Sequence, residues 1–229
     1  MESWRAETPA LPIGGHFQMI KAIFWDNDGV LVDTERLYYQ ATKEVLHEAG
    51  LSLTIDLYLE FFLRQSKGVW HLLEQKGFSS DHIERLRLKR NEVYSNLLLQ
   101  ESIVINDVEP VLQHFYGKYL MGVVTSSRKE HFEMIHRTTG FLKYFDFVLA
   151  HGDYTKYKPD PEPYQLALQR SGFSPDECIA VEDSERGLLS ATAAGLSCVI
   201  VANELTKSCS FEGACRILAE IKDLMDLLS

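Results

Sequence analysis

Long apolar runs are missing from this sequence: none approaches the ~20 residues that a membrane-spanning helix needs. Cysteine is sparse. The four (Cys178, Cys198, Cys209 and Cys215) lack the paired Cys/His spacing of a zinc site. Cys178 and Cys198 fall in the apolar runs CIAVED and SCVIVA, where a small buried hydrophobe fits. With no disulfide framework, the expected compartment is the reducing cytoplasm. Positive charge is short as well: 23 Lys and Arg face 33 Asp and Glu, a net charge of -10. That balance argues against nucleic acid or an anionic membrane surface as the partner. It leaves room for a small anionic substrate, because a local Lys or metal ion reverses the field in a cleft. Residues 1–18 contain two prolines, a glycine pair and no apolar core of signal-peptide length. They read as an N-terminal extension, disordered unless docked.

What is present is an ordinary globular composition, 45% hydrophobic and 24% charged. The length of 229 residues suits one α/β domain carrying a smaller inserted one. Five short runs read as strands: MIKAIFW (19–25), YLMGVVT (119–125), FDFVLA (145–150), CIAVE (178–182) and SCVIVA (197–202). They are nearly continuous in apolar residues, as parallel strands covered on both faces are. Helical segments alternate with the later runs, so a doubly wound parallel sheet is expected. The stretch 36–104 breaks this rhythm, with apolar residues recurring at three- and four-residue spacing. It reads as a small α-helical insertion between core segments 19–35 and 105–229. The C-terminal RILAEIKDLMDLL reads as one amphipathic helix packed on the sheet.

Chemistry gathers where the apolar runs stop. The first ends in Asp26-Asn27-Asp28-Gly29, two carboxylates on one side of an extended strand end with a glycine that permits a tight turn. Converging carboxylates stay ionised only beside a cation, and Mg²⁺ suits hard oxygen ligands. Alone, such a cluster is equally well a solvated turn. The second run ends in Thr125, Ser126 and Ser127, which offer hydroxyls and N–H groups to an anion or cap the helix that follows. YKPDPEPY places Lys158 in a proline-braced loop. The fourth run ends in Glu182 and Asp183 ahead of a helix that Asp183 or Ser184 could cap. Four successive strand ends supplying acids, hydroxyls, a lysine and acids again describe one edge, where ligands of such sheets bind.

In order and position, DNDGVLVDTE, VVTSS, the Lys of KPDPEPY and VEDSERG resemble the motifs of the haloacid dehalogenase superfamily. The likeness is to its phosphatase and phosphomutase branch, with a helical cap inserted after the first strand. The resemblance runs from residue 19 onward. It implies that Asp26 is a nucleophile forming an aspartyl-phosphate and that Asp28 is the general acid and base. It further implies that Lys158 neutralises charge and that Thr125 and the Ser126 N–H hold phosphoryl oxygens. Mg²⁺ would be held by Asp26, the Asp28 backbone carbonyl and Asp183, with Glu182 orienting metal-bound water. Specificity would come from the cap loop FLRQSKGVW, with Arg64 and Lys67 as candidate substrate ligands or, equally, solvated charges. Asp33 is read as structural, and the role of Glu35 stays open. The β-phosphoglucomutases carry a His where this chain has Tyr38, although Lys67 falls roughly where they carry a phosphate-binding Arg. The expected function is hydrolysis of a small phosphorylated metabolite, a sugar phosphate or phosphoglycolate, with a β-phosphoglucomutase-type reaction as the alternative. A monomer or weak homo-oligomer is expected.

Overall fold

Ile23 and Trp25 point to one side of a four-residue strand, Ala22 and Phe24 to the other, and two layers of helix form on that alternation. The structure is a computed structural model and describes residues 19–228; the expectation for 1–18 lies outside them. The strand, β1 (Ala22–Trp25), is buried throughout. It lies between β2 (Leu120–Arg128) and β4 (Cys178–Glu182) in a parallel sheet completed by β3 (Phe147–His151), β5 (Ser197–Val201) and β6 (Arg216–Leu218). Ile23 and Trp25 pack with Val111, Leu112 and Phe115 of α5 (Val108–Phe115) and Phe132 of α6 (Lys129–Thr139). Ala22 and Phe24 pack with Tyr164 of α7 (Glu162–Ser171) and with Leu188 and Ala191 of α8 (Glu185–Ala193). The doubly wound parallel sheet is therefore as expected.

The strand order is β3-β2-β1-β4-β5-β6. From β1 the chain steps outward to β3, then returns to β4 on the opposite flank of β1. This reversal puts the topological switch point between β1 and β4, and the crevice beyond their carboxyl ends is where a ligand finds room.

Between β1 and α5 the named elements are all helical: α1 (Glu35–Glu48), α2 (Ile55–Tyr58), a π-helical turn (Leu59–Arg64), α3 (Trp70–Gln75) and α4 (Ser80–Gln100). Thr54 and Ser79 start α2 and α4 by accepting from the N–H groups of Leu57 and His82. Val45, Leu46, Tyr58, Phe62, Trp70 and Leu73 form an apolar cluster belonging to this segment.

The C-terminal stretch differs from its reading as one helix. Arg216–Leu218 pairs with β5, and only α9 (Asp223–Leu227) is helical. The free edge of β5 presents unpaired N–H and C=O groups, and three residues laid beside it satisfy them. Ile221, Leu224 and Leu228 still bury on the sheet.

Candidate active site

Asp26 follows β1 directly, and its N–H still donates to Val181 O of β4 at 2.9 Å, so its carboxylate leaves the sheet at the switch point. The chain then turns sharply, with the Asn27 carbonyl accepting from the N–H groups of Val30, Leu31 and Val32. Gly29 sits in this turn with φ +87°, and a Cβ there would lie 2.1 Å from Asp183 Oδ2 and 2.8 Å from Asn203 Nδ2. Glycine is needed twice over, for the left-handed backbone and for the close approach of Asp183.

Lys158 Nζ donates to Asp26 Oδ1 at 2.9 Å, Glu182 Oε1 at 2.6 Å and Val124 O at 2.7 Å. All three ammonium protons are used, and the side chain is only 2% exposed. Tyr164 donates to the same Glu182 oxygen at 2.6 Å. Burial works against the charge on Lys158, but Asp26 and Glu182 more than offset it and raise its pKa. The Asp26 carboxyl is pushed up to about 7, chiefly by burial and then by Glu182, against the pull of Lys158. Burial and the charge of Asp26 hold Asp183 well above the usual carboxylate range. Glu182 Oε1 thus accepts from both Lys158 and Tyr164.

Asp26, Glu182 and Asp183 each bring one oxygen into a buried group whose members lie within 4.8 Å of one another. Glu182 Oε2 has no hydrogen-bond partner among the described residues. Buried hard oxygens that repel one another are the donor set a divalent cation such as Mg²⁺ fits. The Asp28 carboxylate stands apart from this group. Its Oδ1 accepts from Thr34 Oγ1 at 2.5 Å, and its Oδ2 accepts from Ser127 Oγ at 2.6 Å and Thr125 Oγ1 at 3.2 Å. These strand-end hydroxyls therefore serve Asp28 and leave α6 uncapped by a side chain. At the other helix the cap is Ser184, which accepts from Gly187 N–H.

A cavity of about 210 Å³ opens over these groups, between the sheet edge and the helical segment. Asp26, Asp28, Ser126 and Lys67 line it, so the structure brings these four expected residues together. Thr125 and Lys158 lie beneath, fully or nearly fully buried. Arg64 does not line it: its guanidinium pairs with Glu60 at 2.7 Å and Glu185 at 2.6 Å. Asp33 pairs with Arg36, in keeping with a structural role.

Several residues went unread in the sequence. Asn203 donates to Asp183 Oδ2 at 2.8 Å, and it sits just past the end of β5, so the strand-end rule applied once more would have found it. Arg186 of SERG lines the cavity. His136, buried on α6, meets Asn27 Oδ1 through Nε2 at 2.8 Å. Tyr164 and His136 carried no signal, since each reads as one more residue on a helix face.

Comparison with known proteins agrees with this geometry. The profile of the haloacid dehalogenase-like hydrolases matches residues 23–201. A phosphorylated carbohydrates phosphatase of Thermotoga maritima is 32% identical, over 77% of this chain and 82% of that one. The fructose-1-phosphate phosphatase YqaB of Escherichia coli is 29% identical, over 81% and 98%. CbbY of Rhodobacter sphaeroides, crystallised with xylulose 1,5-bisphosphate, superposes with a TM-score of 0.71 at 26% identity, over 87% of this chain and 94% of that one. Sheet, strand-end acids and profile converge, and the chain belongs to the haloacid dehalogenase-like hydrolase family.

Proposed function

We propose that this chain is a Mg²⁺-dependent phosphatase of small phosphorylated metabolites that works through an aspartyl-phosphate, with the helical segment 36–104 as its cap. The observation that carries the reading is Lys158, shared between Asp26 and Glu182 beside a three-carboxylate group at the base of a cavity. A carboxylate near a phosphate dianion is repelled, and this constellation places positive charge where that repulsion arises. The relatives named as phosphatases of carbohydrate phosphates support the same reaction class.

Asp26 attacks phosphorus while the ester bond to the leaving oxygen breaks. Asp28 delivers the proton to that oxygen, then takes one from the water that attacks the aspartyl-phosphate. Its three hydroxyl partners set the direction of its carboxylate beforehand. Lys158 neutralises charge on Asp26 and the phosphoryl group, held rigid by Glu182 and the Val124 carbonyl. Ser126, which lines the cavity, offers a further group to phosphoryl oxygens. Mg²⁺, held by Asp26, the Asp28 carbonyl and Asp183, would supply charge neutralisation as a Lewis acid.

Net hydrolysis is favoured over phosphoryl exchange at Tyr38. Its ring lies 4.4 Å from the Arg90 guanidinium and 5.2 Å, edge-on, from Tyr94, so it serves as a wall. The test is inorganic phosphate release from a panel of phosphomonoesters. Release depends on Mg²⁺, stops with a chelator, and falls at least about 1000-fold in Asp26→Asn. Interconversion of β-glucose 1-phosphate and glucose 6-phosphate without release would overturn the reading in favour of a mutase.

A further inference from the structure

Glu35 is an acid in the cavity that the proposed chemistry leaves unused. It is 7% exposed and lines the same space as Asp26 and Asp28. Tyr58 of α2, itself fully buried, donates its hydroxyl to Glu35 Oε1 and stacks on Phe62 with ring centroids 4.8 Å apart. The second oxygen, Oε2, makes no hydrogen bond among the described residues. Arg186 of α8 lines the cavity beside it, anchored through Nη1 to Phe62 O at 3.0 Å and Ser66 Oγ at 3.4 Å. The floor thus presents an acceptor and a set of donors side by side, each braced from behind.

We propose that Glu35, aimed by Tyr58, and Arg186 read hydroxyl groups on the leaving group, so that the site takes phosphate esters of sugars or polyols and rejects a carboxylate next to the ester. The proposal rests on the phosphatase reading above and narrows it to a substrate class. A hydroxyl both donates and accepts, so a leaving group with hydroxyls close to the ester satisfies acid and guanidinium together. In phosphoglycolate the carboxylate carbon lies two bonds from the ester oxygen, and that charge would sit against Glu35 where little water screens it. Arg186 is the counter-charge to several acids at once, Glu35, Asp26 and Asp183, so acids outnumber it where such a carboxylate would sit. Lys67 and Arg128 also line the cavity, but both are exposed and their fields are screened before they reach the floor.

The experiment compares glycerol 1-phosphate with 2-phosphoglycolate, esters of similar size, on the full chain with Mg²⁺. The readout is the ratio of their kcat/KM values within one preparation, which cancels any loss of folded enzyme. The wild-type ratio is expected to exceed about 100 in favour of glycerol 1-phosphate. Glu35→Gln removes the repelling charge and should shrink that ratio at least about tenfold. Tyr58→Phe, which leaves the acid present and unaimed, should shrink it less, and it serves if Glu35→Gln does not fold. Equal use of the two esters by the wild type overturns the proposal, as does a ratio unmoved in both variants. Acetyl phosphate separates the two levels of failure. If it is hydrolysed while the ratio disagrees, this inference alone falls; if no ester releases phosphate, the phosphatase reading falls with it.

Discussion

Gly29 carries more than its size suggests. A methyl group at that position would occupy the place of Asp183 Oδ2, at 2.1 Å, on a backbone already at φ +87°. Gly29→Ala should therefore cost about 1–2 kcal/mol from backbone strain alone, read from urea unfolding, and more from the displaced carboxylate. It should also weaken Mg²⁺ binding, measured by calorimetry on the purified variant. Lys158 works in the opposite sense, as a charge that other charges need. Lys158→Met would leave Asp26 and Glu182 buried without their counter-ion, and removing one partner of such a pair costs about 3–5 kcal/mol. The same denaturation curve measures it, and an unchanged midpoint would contradict the shared-lysine geometry.

At the scale of elements, α6 meets the turn after β1 through a buried polar contact as well as through the apolar Phe132 and Ile135. His136 Nε2 reaches Asn27 Oδ1 at 2.8 Å, and Nδ1 reaches Thr139 Oγ1 at 2.9 Å. Burial depresses the His136 pKa from 6.5 to about 4. Between those values the unfolded chain binds the proton and the folded one does not. Its contribution to stability is thus complete above pH 6.5 and is lost as pH falls toward 4, by an amount on the order of 3 kcal/mol. Unfolding of wild type and His136→Gln at several pH values checks this: the variant's curve should be flatter across that window. This contact was invisible in the sequence, because a histidine on a helix face says nothing about what the face meets. Asp26, Asp28, Lys158 and Asp183 were legible for the opposite reason. Each ends or follows an apolar run, and in a parallel sheet the carboxyl ends converge by construction. Arg64 stayed open between substrate ligand and solvated charge, since its place in the sequence gives no indication of which side of the helical segment it faces; it pairs with Glu60 and Glu185.

Taken whole, the molecule has apolar clusters on both faces of its sheet and another inside the helical segment. A fourth cluster, with Leu37 of α1, Tyr94 and Leu98 of α4 and Ile135 of α6, joins the segment to the core, so separate opening is expected in α2 and α3, which contribute nothing to it. Amides of α2 and α3 should exchange with deuterium well before those of β1 and β4, as mass spectrometry of exchanged peptides would show; simultaneous exchange would mean one cooperative unit. The β-rich runs announced the sheet, while β6 escaped notice because three edge residues have no pattern of their own and are recruited by the neighbour they pair with. The strand order has a further consequence, for synthesis. β1 lies between β2 and β4, so one edge of this wholly buried strand has no partner until the ribosome has made most of the chain. Lys158 lies 132 residues after Asp26. At 5–20 residues per second, Asp26 waits roughly 7–26 s for Lys158, and the nascent chain carries the first half of the ion-paired site before the second half exists.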